Sequence, residues 1–117
     1  MIEQVRPAQF TAWLAGVGQS HPLDAALMLD VREPHELRWA HLDHGAGYRV
    51  LAIPMGDVPA RLAELDPEQP IACLCHHGVR SLQVARFLQS NGFSQVVNID
   101  GGIDAWSTEV DSTVARY

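Results

Sequence analysis

The chain has 117 residues, 47% of them hydrophobic and 19% charged, and a net charge of −6. That length suits one domain with its own core, and the composition is that of a globular rather than a disordered chain. Nucleic-acid backbones and anionic membranes both want a basic face, so neither is expected as a partner.

Ile2 to Val5 reads as a short strand, and Pro7 suits the first turn of a helix with Phe10, Trp13 and Leu14 on one side. Gly16 to Pro22 reads as a loop. The apolar run Ala25 to Leu29 predicts a strand buried on both faces, with Asp30 at its end and Arg32 just beyond, where sites form in open parallel sheets. Pro34 opens a short helix through Trp39, after which the pattern dissolves until a brief strand at Leu51 to Ile53. Asp57 and Pro59 read as the start of a helix over Ala60 to Leu65, which Asp66-Pro67 stops. The run from Ile71 reads as a buried strand, and Leu82, Ala85, Phe87 and Leu88 mark an amphipathic helix ended by Gly92. Gln95 to Ile99 supplies another strand, Gly101-Gly102 a turn, and Ile103 to Ser107 a short helix with Trp106 facing inward. Val110 to Tyr117 is a tail that packs as a strap across the domain. Alternating strands and helices predict an α/β fold, a parallel sheet covered on both faces.

The N-terminus has no basic region leading into an apolar run, and no stretch approaches the ~20 apolar residues of a membrane span, so a cytoplasmic protein is expected. The only two cysteines, Cys73 and Cys75, sit two positions apart along a strand, too awkward a spacing for a bridge, and both are read as reduced. Cys73 lies inside the apolar strand and reads as core. No cofactor is called for, and a monomer is expected.

Between the central strand and its helix lies a turn headed by Cys75. The first amides of a helix have no intrahelical partner, so they point into such a turn and attract an anion. Gly78 lets the backbone approach closely, and the amides of residues 76 to 81 are expected to form a nest around the Cys75 sulfur. Arg80 is disfavoured by the helix dipole at that end, which calls for a bound anion or a carboxylate such as Asp30 or Glu33. Ser81 caps the helix or donates its hydroxyl into the loop. His76, His77 and Val79 complete the wall. Asp30 and Arg32 either support the site or form a structural pair. The reading requires the loop hydrogens to face inward and the sulfur to meet water.

Cys75-x-x-Gly78-x-Arg80-Ser81 resembles the active-site loop of the rhodanese-like sulfurtransferases. Leu29-Asp30-Val31-Arg32-Glu33-Pro34-His35-Glu36 is similar to that family's early segment, and Asn98-Ile99-Asp100-Gly101-Gly102-Ile103-Asp104-Ala105-Trp106 to its late one. The resemblance implies a single rhodanese-like domain over 1–117, with a five-stranded parallel sheet, a core over about 20–110, a lead-in over 1–19 and a tail over 111–117. It implies a thiosulfate sulfurtransferase in which Cys75 is the nucleophile and Arg80 assists a small anionic sulfur donor. His76, His77, Gly78, Val79 and Ser81 would hold the transferred sulfur as a persulfide, which passes to cyanide, a small thiol or a protein thiol. The family's usual Gly-His-Ile-Pro-Gly-Ala turn is only partly kept here, at His41, Gly45 and Ala46.

Three other readings compete. A cysteine phosphatase or arsenate reductase also uses a cysteine-headed loop ending in arginine, but four residues separate Cys75 from Arg80, one fewer than in the phosphatases, and the narrower ring suits a single sulfur. A persulfide carrier or binding module would dock a partner without turning over free substrate. A metal held by Cys73, Cys75, His76 and His77 would need four ligands from five consecutive residues to converge, so no metal is expected.

Overall fold

A computed structural model describes residues 1–18 and 26–117. Its strands are β1 (Glu3–Val5), β2 (Ala26–Asp30), β3 (Tyr48–Ala52), β4 (Ile71–Leu74) and β5 (Val96–Ile99). They form one parallel sheet in the order β1-β5-β4-β2-β3. The helices are α1 (Phe10–Gly18), α2 (Pro34–Trp39), α3 (Val79–Ser90) and α4 (Gly102–Glu109).

Strand side chains alternate between two cores, as a two-residue period demands. Leu27, Leu29, Ile71, Cys73 and Val96 pack on one face with Val84, Ala85 and Leu88 of α3. Met28, Ala72, Leu74, Val97 and Ile99 pack on the other with Phe10, Ile103 and Trp106. Both faces are therefore covered, as the apolar runs predict. Phe10 anchors the second core, with Trp13, Tyr48 and Trp106 rings around it at centroid distances of 5.1–5.6 Å. The lead-in strand is an integral edge, paired with β5 from Glu3 opposite Val97 to Val5 opposite Ile99.

Four predicted boundaries change. Helix α1 runs to Gly18, through the start of the expected loop over 16–22, because glycine in a helix costs only about 1 kcal/mol and neighbouring packing outweighs it; residues 19–22 of that loop, and Ala25, lie outside the described residues. Strand β3 begins at Tyr48 rather than Leu51, since pairing with β2 from Ala26 opposite Tyr48 onward recruits residues that show no pattern of their own. The helix expected over 60–65 is replaced by 3₁₀ turns at Met55–Asp57 and Leu62–Glu64. Pro59 has no N–H to give, and a segment this short cannot carry the cost of a helical nucleus. Helix α4 extends to Glu109, two residues past the predicted Ser107, with Trp106 buried as expected.

From β2 the chain moves outward to β3, and from β4 it moves the opposite way to β5. The crevice where such a sheet changes direction lies beyond the C-terminal ends of β2 and β4. Asp30 and Leu74 are register partners there, so the segments that follow them, 31–36 and 75–81, face one another. No helix among the described residues is long and apolar enough to cross a membrane.

Candidate active site at the ends of β2 and β4

Strand β4 delivers Cys75 to the crevice, and α3 starts after Gly78, whose φ of 98° is open to glycine but strained for other residues. The sulfur of Cys75 caps that helix. Sγ accepts from the Gly78 amide at 3.1 Å and the Ser81 amide at 3.4 Å, and the Ser81 hydroxyl lies 3.2 Å away. Two of the amides expected in the nest over residues 76 to 81, those of Gly78 and Ser81, thus converge on one atom. Meanwhile the loop's carbonyls turn the other way: Cys75 O accepts from the Ile103 amide at 2.9 Å and His76 O from Asp104 at 3.1 Å. Helix α4 therefore receives the loop's acceptors while its donors stay on the sulfur side.

Asn98 fixes this arrangement from below. It is buried in β5, accepts from the Ser81 hydroxyl at 2.6 Å, and donates to Gly78 O at 3.0 Å and Gln4 Oε1 at 2.8 Å. Ser81 carries one hydroxyl proton, shared between Asn98 and the sulfur, so it serves the loop rather than capping the helix itself.

Arg80 finds a carboxylate, but neither of the expected two. It pairs with Glu36 through two bonds of 2.6 and 2.9 Å, because the first turn of α2 aims Glu36 across the crevice. Asp30 is taken by Arg32 at 2.9 and 2.7 Å, a pair that is almost wholly buried. Arg32 also donates to Glu36 O at 3.3 Å and the Tyr117 hydroxyl at 3.0 Å. Hydrogen bonds from Arg80 and Tyr117 hold the Glu36 carboxyl at about 2, against the pull of burial. Those Glu36 bonds, opposed by burial, raise the Arg80 guanidinium further, and the charge of nearby Cys75 adds to this.

Tyr117 arrives from the tail. Its hydroxyl donates to Glu36 Oε2 at 2.7 Å, and its ring stacks on His76 with centroids 3.9 Å apart and planes 13° apart. Burial, opposed by the Arg32 hydrogen bond, pushes the Tyr117 hydroxyl up to about 12. Cys75 in this arrangement is 1% exposed, so the expected contact between sulfur and water is not made. Of the loop hydrogens expected to face inward, those of the Gly78 and Ser81 amides do. Val79, by contrast, is exposed at the rim.

Cys73 points into the first core, where burial pushes its thiol up, and it cannot join the site. Ligand atoms of His76, His77 and Asp104 come within 4.8 Å of one another. The two rings stack at 3.8 Å, and Asp104 is held by Arg116 at 2.9 and 3.2 Å. Burial and the neighbouring His77 lower the His76 pKa. His41 lies apart, 3.5 Å from Asp43, on a cleft with Trp39, Leu42 and Trp106.

The structure thus brings Cys75, Gly78 and Ser81 together, ties Arg80 to Glu36 across the same crevice, and adds Asn98 and Tyr117. Asn98 carries a signal in the sequence, a polar residue within an apolar strand. Glu36 is visible within the early segment but its target is not, and Tyr117 lies in a stretch without periodicity.

Residues 13–109 match the family model described as the rhodanese-like domain. The chain belongs to the rhodanese-like family. Among relatives of this rhodanese-like chain, the putative sulfurtransferase YtwF of Bacillus subtilis is 34% identical, covering 70% of this chain and 74% of that protein. The thiosulfate sulfurtransferase GlpE of Stutzerimonas stutzeri is 33% identical, with coverage of 76% and 77%. The chloroplastic rhodanese-like/PpiC domain-containing protein 12 of Arabidopsis thaliana is 41% identical over 81% of this chain, which spans only 31% of that longer protein. In structure, the rhodanese-like domain protein from Staphylococcus aureus superposes with a TM-score of 0.74 at 22% identity, covering 99% of both chains, a likeness of fold.

Proposed function

We propose that this protein is a sulfurtransferase that carries sulfane sulfur on Cys75. The observation that supports this best is the convergence of the Gly78 and Ser81 amides and the Ser81 hydroxyl on one sulfur atom. Donors preorganised around the Cys75 sulfur stabilise the negative charge of the attacking thiolate, and of the thiolate released when the sulfur is passed on, without reorganisation. The sulfurtransferase names among relatives that the chain covers for most of their length agree with this reading.

In the first step the Cys75 thiolate attacks the outer sulfur of thiosulfate or a similar donor. A sulfur–sulfur bond forms to Cys75, the donor's sulfur–sulfur bond breaks, and sulfite leaves with the electron pair. In the second, cyanide or a thiolate attacks the terminal sulfur and Cys75 departs as thiolate. Arg80, held square to the crevice by Glu36, supplies positive charge near the incoming anion.

Thiocyanate production from thiosulfate and cyanide tests the reading. Turnover that disappears in Cys75→Ser is the expected result. Aryl phosphate hydrolysis at rates comparable to sulfur transfer would overturn it in favour of a phosphatase.

A further inference from the structure

Cys75 sits at the open end of the sheet, yet it is 1% exposed. The tail reaches the crevice beyond that end, where Tyr117 meets His76 and Glu36. Its last turn is held by Ser107 Oγ donating to Val114 O at 2.7 Å and by Arg116 on Asp104. These contacts bring Tyr117 between the two segments that frame the crevice.

On one side the Tyr117 ring lies flat on His76, the residue after the nucleophile, and on the other it tilts against Trp39 of α2 at 5.3 Å. Its hydroxyl bridges Arg32 Nη1 at 3.0 Å and Glu36 Oε2 at 2.7 Å. Glu36 in turn holds Arg80 at 2.6 and 2.9 Å, so one carboxylate joins the phenol to the guanidinium across the crevice.

We propose that Tyr117 is the gate to Cys75: its hydroxyl latches the ring across the crevice through Arg32 and Glu36, and sulfur donors reach the thiol only when the ring leaves. The tail that holds it has neither helix nor strand between Asp111 and Tyr117, so release breaks side-chain contacts rather than a helix or a ladder. This inference rests on the sulfur-transfer reading for its purpose but not for its test.

The test is alkylation of Cys75 by a bulky maleimide and by iodoacetamide, followed by the mass of the labelled peptide in wild type, Tyr117→Ala and Tyr117→Phe. Two hydrogen bonds and one ring stack together hold the gate, so Tyr117→Ala is expected to label Cys75 about 10–100-fold faster with the bulky reagent. Tyr117→Phe keeps the ring but lacks the latch and is expected to gain a few-fold. Cys73, fully buried, serves as an internal control. Acceleration shared by Cys73 signals unfolding and overturns the proposal for that variant, as does a Tyr117→Ala rate equal to wild type; a Tyr117→Phe rate equal to wild type overturns the latch. In turnover, an opened gate lowers the KM for thiosulfate, because the competent fraction rises. Alkylation needs no sulfur transfer, so failure of the gate and failure of the activity are read separately.

Discussion

Glu36 and Arg80 meet through two parallel bonds, Oε1 to Nη1 at 2.6 Å and Oε2 to Nη2 at 2.9 Å, and so tie α2 to the first turn of α3. The folded carboxyl sits at about 2, below the 4.5 of an ordinary glutamate, so its stabilisation is complete above about 4.5 and is lost as pH falls toward 2. Because Arg80 is 35% exposed, solvent weakens the pair, and Glu36→Gln is predicted to cost about 1–2 kcal/mol near neutral pH. Urea unfolding across the acid range checks this. The difference between variant and wild type shrinks below pH 4.5, and a difference independent of pH contradicts the assignment.

Asn98 gives two hydrogen bonds and receives one at the floor of the loop. Asn98→Asp preserves its shape, turns an acceptor toward the Gly78 carbonyl, and brings negative charge near the sulfur. Like charge disfavours an anion there, so persulfide formation is predicted to slow about tenfold or more. Single-turnover loading with thiosulfate measures it, and loading at the wild-type rate would show that Asn98 plays no part in the cradle.

A methyl group at Gly102 would stand 2.4 Å from the carbonyl oxygens of both Cys75 and His76, and its φ of 61° disfavours a side chain. Those oxygens belong to backbone and cannot swing aside. Gly102→Ala is predicted to destabilise the fold by about 2–4 kcal/mol and to disturb the loop with it. Thermal unfolding gives the first quantity; a melting temperature within a degree or so of wild type would contradict the contact.

Cys73 is a core residue. Cys73→Ala is predicted to cost about 1–2 kcal/mol for the small cavity while leaving persulfide formation on Cys75 intact. Loss of the persulfide in that variant would make Cys73 a participant.

Much of this was legible in the sequence because the signals were local. Unbroken apolar runs marked β2 and β4, Pro34 opened α2, and Cys75, Gly78, Arg80 and Ser81 announced a loop between strand and helix. What escaped depended on contacts between distant residues. Tyr48 to Val50 become strand only beside β2, and residues 60–65 lose their helix once 3₁₀ turns take the connection. The partner of Arg80 is chosen by the direction in which α2 projects Glu36, four residues beyond Arg32. Tyr117 stands 42 positions after Cys75, and the strap expected of the tail carries no periodicity that would single out Tyr117 as the partner of Glu36.

Intact mass after incubation with thiosulfate and removal of excess donor tests the role of Cys75 most directly. A gain of one sulfur atom is expected, lost on treatment with cyanide, absent in Cys75→Ser and retained in Cys73→Ala. A wild-type protein that gains no mass, or a Cys75→Ser variant that still does, would contradict it.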